Sequence, residues 1–535
     1  MIGLDRPPCD QALLRAAAPG TRGCAERARP WVLASAILGS SMAFIDGSVV
    51  NVALPAMQAD LATSVAGAQW IVNAYQLMLG ALILVGGAAG DRFGRRRIFV
   101  LGIALFAAAS IGCGLAPDVA VLIAARAVQG VGGALLVPSS LALISAAFPQ
   151  GERGRAIGTW AGFSALTTAL GPVLGGWLVD GWSWRPIFFV NVPLALVTLR
   201  LALRHVPESR GDAADAPVDW RGGVLAAAGL GALVYGLTAA SRLGWTHPGV
   251  LGSLLAGALV VGLFLRHEAG AALPMVPLHL FRSAAFSGAN AMTFLLYFAL
   301  GGALFFLPFN LIRIQGYSAT LAGAAFLPFT VIMAALSRWS GGLIDRYGAR
   351  APLTIGPVVV AAGFALLAVP GLGGSYWTTF FPGMAVLGFG MAVSVAPLTT
   401  TVMGAVEDRH AGAASGINNA VARLAGMLAV ALLGAVAVGA FGAALDRHLA
   451  GMRVSPEVRR AVLAEAPRLA EARLPAVGAA ERAELIRALH QSFVWSFRII
   501  MLVAAALALL SGLCAWLTIG PARSRRAHGA TPSSG

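Results

Sequence analysis

Long apolar runs constrain this chain more than any other feature of its sequence. Fourteen segments of helical length, separated by polar connectors, carry almost no charge in their interiors. A bilayer span needs about 20 mainly apolar residues, and a helix satisfies its own backbone hydrogen bonds in lipid. The sequence therefore predicts an all-α integral membrane protein with fourteen transmembrane helices.

Composition excludes the other broad classes of protein. The 535 residues are 58% hydrophobic and 11% charged, whereas a soluble globular chain carries about 25% charged residues. Disorder requires low hydrophobicity and dense charge, so this composition excludes it as well. The net charge of +15 comes from 38 basic residues that are all arginines, and most lie in short connectors. We therefore expect a lipid bilayer as partner and no nucleic acid.

The arginines also predict the topology. If the N-terminus is cytoplasmic, the tails and connectors on that side hold 23 arginines, while the short connectors opposite hold Arg242 and Arg313. Short loops rich in arginine stay in the cytoplasm. We therefore expect cytoplasmic tails at 1–30 and 520–535, and an extracytoplasmic loop at 442–491.

An internal repeat divides the chain. The pattern G-x-x-x-D-R-aromatic-G-x-R occurs at 87–96 and again at 341–350, each time in a connector on the arginine-rich side. Parallel repeats of this kind occur in some secondary transporters. Eight spans separate the copies, so two spans are added to a six-plus-six duplication. We expect six-helix bundles at 31–203 and 284–519, joined by a linker at 204–283 that holds two accessory helices.

Several motifs resemble the major facilitator superfamily and, within it, the fourteen-span drug:proton antiporters of the multidrug-efflux type. The first span carries DGSVVNVALP at 46–55, the second opens with QWIVNAY at 69–75, and DRFGRRR follows at 91–97. The fourth span has the R-x-x-Q-G motif from Arg126, and the thirteenth has an Asn pair followed by Arg423. The resemblance implies the major facilitator fold and a bacterial inner-membrane location.

Asp46 is the one acid deep inside a predicted span, and such acids are functional candidates because a carboxyl in lipid is costly. Asp46 lies nine residues before Pro55, and Arg126 lies eight residues after Asp118. Both therefore lie roughly 12–14 Å below the same membrane surface. The resemblance implies neighbouring helices, so we expect Asp46 to carry a proton and Arg126 to tune it. A permanent structural pair is the alternative.

Two further motifs are expected to act on conformation. The resemblance implies a gating latch at the cytoplasmic mouth, formed by Asp91, Arg92, Gly94, Arg95 and Arg96 and repeated more weakly by Asp345 and Arg346. The fifth span carries the antiporter motif, which combines a kink with a flat packing surface, at Gly171, Pro172, Gly175 and Gly176. Thr167 stands where that motif usually has another glycine.

Polar stripes on three spans mark candidates for the substrate cavity. These are Asn73 and Gln76 in the second span, Asn290 and Tyr297 in the ninth, and Asn419 and Arg423 in the thirteenth. Hydrogen bonds between helices would explain the same stripes. Because two arginines accompany a single acid, neutral, amphiphilic, weakly acidic and cationic substrates all stay open.

Together these features predict a proton-coupled exporter of hydrophobic or amphiphilic compounds that works by alternating access. Uptake of a substrate or of an organic anion on the same fold is the alternative, since fold does not fix function, and a non-transporting sensor is another. No P-loop or metal-ligand pattern occurs in the sequence, so we expect no enzyme, no cofactor and no metal, with a proton gradient as the driving force. We expect a monomer whose partners are protons and a small-molecule substrate, and any accessory envelope protein stays undefined.

Overall fold

A computed structural model describes residues 21–210, 219–271, 274–406, 411–452 and 454–520. Within those ranges fourteen helices are long and apolar enough to cross a membrane, which confirms the predicted number. We number the spanning helices in chain order: α1 Thr21–Asp60, α2 Val65–Phe93, α3 Arg95–Gly114, α4 Val119–Ala147, α5 Gln150–Gly181, α6 Asn191–His205, α7 Trp220–Leu243, α8 Pro248–Gly270, α9 Ala284–Phe309, α10 Ala319–Ala324 continued by Leu327–Gly341, α11 Arg350–Leu367, α12 Phe381–Gly404, α13 Ala411–Ala450 and α14 Ala479–Thr518.

Short helices occupy several connectors. They are Pro186–Phe189, Leu278–Arg282, Asn310–Ile314, Leu343–Tyr347, Tyr376–Thr379, Pro456–Ala464 and Ala466–Glu471. Because the number of spans is even, α1 starts and α14 ends on the same side of the bundle. We call this side the terminal end, and the opposite side, which carries the connector between α13 and α14, the loop end.

Side-chain caps set several helix starts. Asp118 accepts a hydrogen bond from the Val121 amide at the start of α4, and Ser283 accepts one from Phe286 at the start of α9. Such caps satisfy amides that have no partner within the helix and contribute about 1 kcal/mol each. Helix starts of this kind fix where the chain turns back into the bundle.

The packing of helices in the first half is repeated in the second half by the helices whose numbers are eight higher. In the first half α1 packs on α5 and α6, and α4 packs on α2 and α3. In the second half α9 packs on α13 and α14, and α12 packs on α10 and α11. The two halves therefore share one internal arrangement, in agreement with the repeated connector motif. Between the halves, α5 packs on α10 and α2 packs on α13.

The accessory helices α7 and α8 differ in their surroundings. α8 contacts α7 and exposes large apolar side chains such as Leu255 and Leu259, as expected for a helix on the outside of the bundle. α7 instead lies against both α2 and α13, where Val234 is fully buried. α8 therefore lies on the outside of the bundle, whereas α7 covers the seam between the halves.

The connector between α13 and α14 forms a small helical cap at the loop end. Ser455 accepts a hydrogen bond from the Val458 amide and starts the helix Pro456–Ala464, as its sequence predicts. Gln58 of α1 donates to the carbonyl of Arg468 at 3.3 Å. The cap thus joins the second half of the chain to the first.

Candidate functional site

The structure brings Asp46 and Arg126 into direct contact, in agreement with their equal depth along the sequence. Arg126 Nη1 donates to Asp46 Oδ2 at 2.5 Å, and Arg126 Nε donates to the carbonyl of Ile71 at 3.1 Å. The side chain of Arg126 is 1% exposed and that of Asp46 is 0% exposed. An ion pair so deeply buried persists only when its remaining hydrogen-bonding groups also find partners.

Gln129 supplies those partners, one helical turn after Arg126 on α4. Its amide nitrogen donates to Asp46 Oδ1 at 2.9 Å and to Ser110 Oγ at 2.9 Å, while its oxygen accepts from Arg126 at 2.7 Å. Asn191 of α6 extends the network by donating to Ser110 Oγ at 3.3 Å. Side chains of α1, α3, α4 and α6 and the Ile71 carbonyl of α2 therefore meet at one polar centre. The R-x-x-Q spacing pointed to Gln129, whereas nothing in the sequence distinguished Ser110 from other serines in apolar runs.

Aromatic rings enclose the guanidinium of Arg126. Its carbon lies 4.3 Å from the ring centroid of Tyr75 and 5.8 Å from that of Phe188. A desolvated cation over an aromatic face gains about 2 kcal/mol. Tyr75 is also a wall residue of the large cavity between the halves, so a single side chain separates the buried ion pair from that cavity.

The cavity between the halves has a volume of about 450 Å³. Its walls come from α1, α2 and α5 of the first half and from α9, α12 and α13 of the second. Four of the predicted cavity residues line it: Gln76, Tyr297, Asn419 and Arg423.

Two of the predicted cavity residues do not line it, and for them the prediction is wrong. Asn73 is fully buried, and neither of its side-chain polar atoms has a hydrogen-bond partner among the described residues. Asn290 is also buried and accepts a hydrogen bond from the wall residue Asn418 at 3.2 Å. Residues three apart on a helix differ by about 60° in direction, which separates Asn73 from Gln76 and turns it away from the cavity.

The antiporter motif of α5 brings the backbones of the two halves close together. A Cβ at Gly176 would overlap the carbonyl oxygen of Ala319 in α10, and a Cβ at Gly323 would overlap the carbonyl of Pro172. Gly171 and Gly175 face α1 instead, where a Cβ would overlap Ser48 and Val49. Gly176 is thus the motif residue whose missing side chain lets α5 and α10 touch through their backbones.

Asp180, at the loop end of α5, caps a helix of the other half. Its carboxylate accepts from the amides of Ala319 at 2.9 Å and Thr320 at 2.7 Å, and from the Thr320 hydroxyl at 2.5 Å. A carboxylate at a helix N-terminus is stabilised by the unpaired amides and the helix dipole. The sequence did not indicate a role for Asp180, because an acid that follows an apolar run is typical of the end of a span.

The connector motif after α2 contacts Glu208, which follows α6 in the chain. Arg95 donates to Asp91 Oδ1 at 2.9 Å, and the amides of Arg96 and Arg97 donate to Glu208 at 3.0 and 3.2 Å. Gly94 has a φ of 114°, and a Cβ there would lie 2.8 Å from the Glu208 carboxyl. Glu208, which the sequence did not indicate, therefore organises this turn.

The other predicted gating residues take less part in this turn. The guanidinium of Arg92 lies 5.5 Å from the ring centroid of Phe93. In the second copy, Arg346 is exposed and lies 5.3 Å from the ring centroid of Tyr347. The side chain of Asp345 lies outside the described residues.

Comparison with known proteins agrees with this architecture. The family model for the Major Facilitator Superfamily matches residues 36–430. The chain is 36% identical over 486 residues to Multidrug resistance protein Stp of Mycobacterium tuberculosis (strain CDC 1551 / Oshkosh), covering 90% of each chain. It is 34% identical over 504 residues to the Tetracenomycin C resistance and export protein of Streptomyces glaucescens, covering 92% of each.

Solved transporters share the fold. The crystal structure of a bacterial homolog of the human lysosomal transporter Spinster, inward-facing and unoccupied, matches with a TM-score of 0.62 at 18% identity and covers 91% of this chain and 97% of its own. A D-xylose–proton symporter matches with a TM-score of 0.56 at 16% identity and covers 92% of this chain and 98% of its own. The chain is thus a multi-pass membrane transporter rather than an enzyme, and it belongs to the Major Facilitator Superfamily.

Proposed function

We propose that this transporter exports hydrophobic or amphiphilic compounds in exchange for protons. Relatives over most of the chain bear names that refer to multidrug resistance and to export. The observation that carries the proposal is the sealed pair of Asp46 and Arg126, which lies one side chain behind the cavity. An apolar residue would pack at this position at least as well as Asp46. Burying each ion costs several kcal/mol, about as much as the ion pair regains, so packing alone does not account for an acid here.

Proton binding at Asp46 would change the stability of this centre. A neutral Asp46 leaves the Arg126 charge buried without its counter-ion, and breaking such a pair costs about 3–5 kcal/mol. The centre would then favour a rearrangement of α1 against α4 that returns Arg126 to a suitable acceptor. Tyr75 contacts Arg126 and the cavity, so the same movement would be felt by a bound substrate.

The contacts between the halves support alternating access. Hydrogen bonds gather towards the loop end, where Asp180 binds α10, Gln58 binds the cap and Arg313 donates to the carbonyl of Pro55 at 2.9 Å. The cavity reaches Thr399 and Met403, which lie near the terminal end of α12. We infer a conformation closed at the loop end, and a rocking movement of the halves that would open that end and close the other.

The distribution of arginines supports placing the terminal end in the cytoplasm of a bacterial inner membrane. The cavity described above would then face the cytoplasm and receive compounds from the cell interior or the inner leaflet. We propose that a single chain suffices for transport, since both halves of the cavity come from one polypeptide.

Everted membrane vesicles test the proposed function. Respiration acidifies their lumen, and acridine orange reports the pH difference. An antiporter releases luminal protons as the compound enters, so adding a transported amphiphile should alkalinise the lumen only in vesicles that contain the protein. An uptake system would give no such signal with compound outside only. Absence of alkalinisation across a panel of anionic, neutral and cationic amphiphiles would contradict proton-coupled export.

Asp180→Asn is expected to weaken closure of the loop end. The asparagine side chain lacks the negative charge that the backbone N–H groups of Ala319 and Thr320 bind. Losing that charge destabilises the closed state by about 1 kcal/mol, which is roughly a fivefold change in the ratio of closed to open states. Spin labels at positions 115 and 377, which are exposed at the loop end in different halves, would report this as a larger population at long distances.

Asp118→Asn is the matched control for this measurement, because Asp118 caps α4 within its own half. It should leave the distance distribution between the labels unchanged. Equal distributions for Asp180→Asn and wild type would show that Asp180 does not hold the halves together.

A further inference from the structure

The charge of the central cavity points to the kind of compound it binds. Among the described residues that line it, Arg423 is the one with a charged side chain, and no aspartate or glutamate is present. The polar remainder consists of amides and hydroxyls, which carry no net charge. The cavity thus carries a positive charge between apolar and uncharged polar walls.

Arg423 has no partner in the part of the chain that the structure describes. Its Nε is buried without an acceptor, and its guanidinium forms no ion pair with a described residue. Asp46 cannot serve, because it is sealed behind Tyr75 and is bound by Arg126 and Gln129. The buried Nε lacks an acceptor, which is costly, and the guanidinium lines the cavity, where an anionic ligand could reach it.

A second, apolar pocket adjoins this charge. It has a volume of about 170 Å³ and lies between α2, α7, α8 and α13. Its walls are apolar except for Gln76, which also lines the central cavity. A dry apolar cavity of about 150 Å³ is large enough to hold benzene. The pocket can therefore hold a ring, and Gln76 is a wall residue that it shares with the cavity of Arg423.

We propose that the transporter selects organic anions with an apolar body: a sulfonate, carboxylate or ionised phenol binds Arg423, and an aromatic or aliphatic part fills the pocket beside Gln76. This inference rests on the proposed export of amphiphiles and narrows its substrate class. Charge selects the compound at Arg423, and burial of its apolar part supplies much of the affinity.

Two dyes with the same aromatic body and different charge test the proposal. These are 8-anilino-1-naphthalenesulfonate and its uncharged counterpart N-phenyl-1-naphthylamine. Binding is measured by equilibrium dialysis against the protein in phosphatidylcholine nanodiscs, with empty nanodiscs subtracted. Because these discs contain no anionic lipid, a headgroup does not compete for Arg423. No proton gradient is present, so the result is independent of whether transport is coupled to protons.

Arg423→Gln should weaken binding of the sulfonate at least tenfold and change binding of the uncharged dye less than twofold. Arg423→Lys keeps the charge and should stay within about threefold of wild type for both dyes, since a point charge still attracts the sulfonate. Arg200→Gln, at an exposed arginine of α6 outside the cavity, is the matched control and should match wild type. Unchanged sulfonate binding, or an equal loss for both dyes, would overturn the proposal.

Competition in the wild-type protein keeps the test decisive if Arg423→Gln does not fold. p-Toluenesulfonate should displace the anionic dye, whereas the uncharged p-toluenesulfonamide should not. Equal displacement by both would refute anion selection. Luminal alkalinisation in everted vesicles by cations alone would refute it as well, while leaving proton-coupled export intact.

Discussion

Asp46→Asn is expected to abolish proton-driven transport and to leave a folded protein. The amide keeps the shape of the carboxyl and one oxygen acceptor for Arg126, and the Gln129 amide nitrogen, which loses its acceptor at position 46, still donates to Ser110. It cannot bind and release a proton in the range that bacteria use. Luminal alkalinisation in everted vesicles should therefore fall to the level of vesicles without the protein.

Exchange of substrate across vesicles without a proton gradient separates loss of coupling from loss of structure. Asp46→Asn should retain this exchange, because the cavity lies on the other side of Tyr75. Asp60→Asn, an exposed acid on the same helix, should behave as wild type in both assays. Wild-type alkalinisation by Asp46→Asn would show that the proton is carried elsewhere.

Gly176→Leu is expected to prevent closure of the loop end and so to stop transport. The new side chain would meet the Ala319 carbonyl and the Thr320 backbone, which cannot rotate away as a side chain could. Overpacking against side chains costs about 1–3 kcal/mol, and overpacking against a backbone that cannot move costs about 3 kcal/mol or more. Since each 1.4 kcal/mol is a factor of ten, the closed population should fall roughly 100-fold.

Spin labels at positions 115 and 377 would show the shift as a gain of long distances, together with loss of luminal alkalinisation. Gly162→Leu is the matched control in the same helix, since a Cβ at Gly162 meets nothing within 4 Å. It should retain the wild-type distances and transport. An unchanged distance distribution in Gly176→Leu would show that α5 and α10 do not form the gate.

Much of the architecture follows from the sequence because a bilayer leaves few choices. Apolar length defined the fourteen spans, and depth counted from Pro55 and Asp118 put Asp46 and Arg126 at one level, while the family resemblance implied that their helices are neighbours. A repeated connector motif predicted two halves that the packing of α1–α6 and α9–α14 reproduces. These signals depend on spacing along one helix or on repetition, both of which can be read without the fold.

Contacts across helices could not be predicted in the same way. Ser110 and Asn191 contribute to the buried network only because α3 and α6 meet α4 at one depth. Asp180 and Glu208 act on segments 139 and 112 residues away, at Ala319 and Arg96. The polar stripe on α2 indicated the correct helix face but could not separate the cavity wall at Gln76 from the buried interface at Asn73.

The position of α7 limits how the two halves can move. This helix touches α2 of one half and α13 of the other through an apolar cluster of Leu77, Val234, Met427 and Ala431. Apolar contacts have no preferred direction, and a methionine side chain adapts its shape easily. In the proposed rocking movement, α7 would stay with one half and slide over the other. α7 would therefore provide a sliding surface along one seam, and the contact at Gly176 would hold the opposite seam closed.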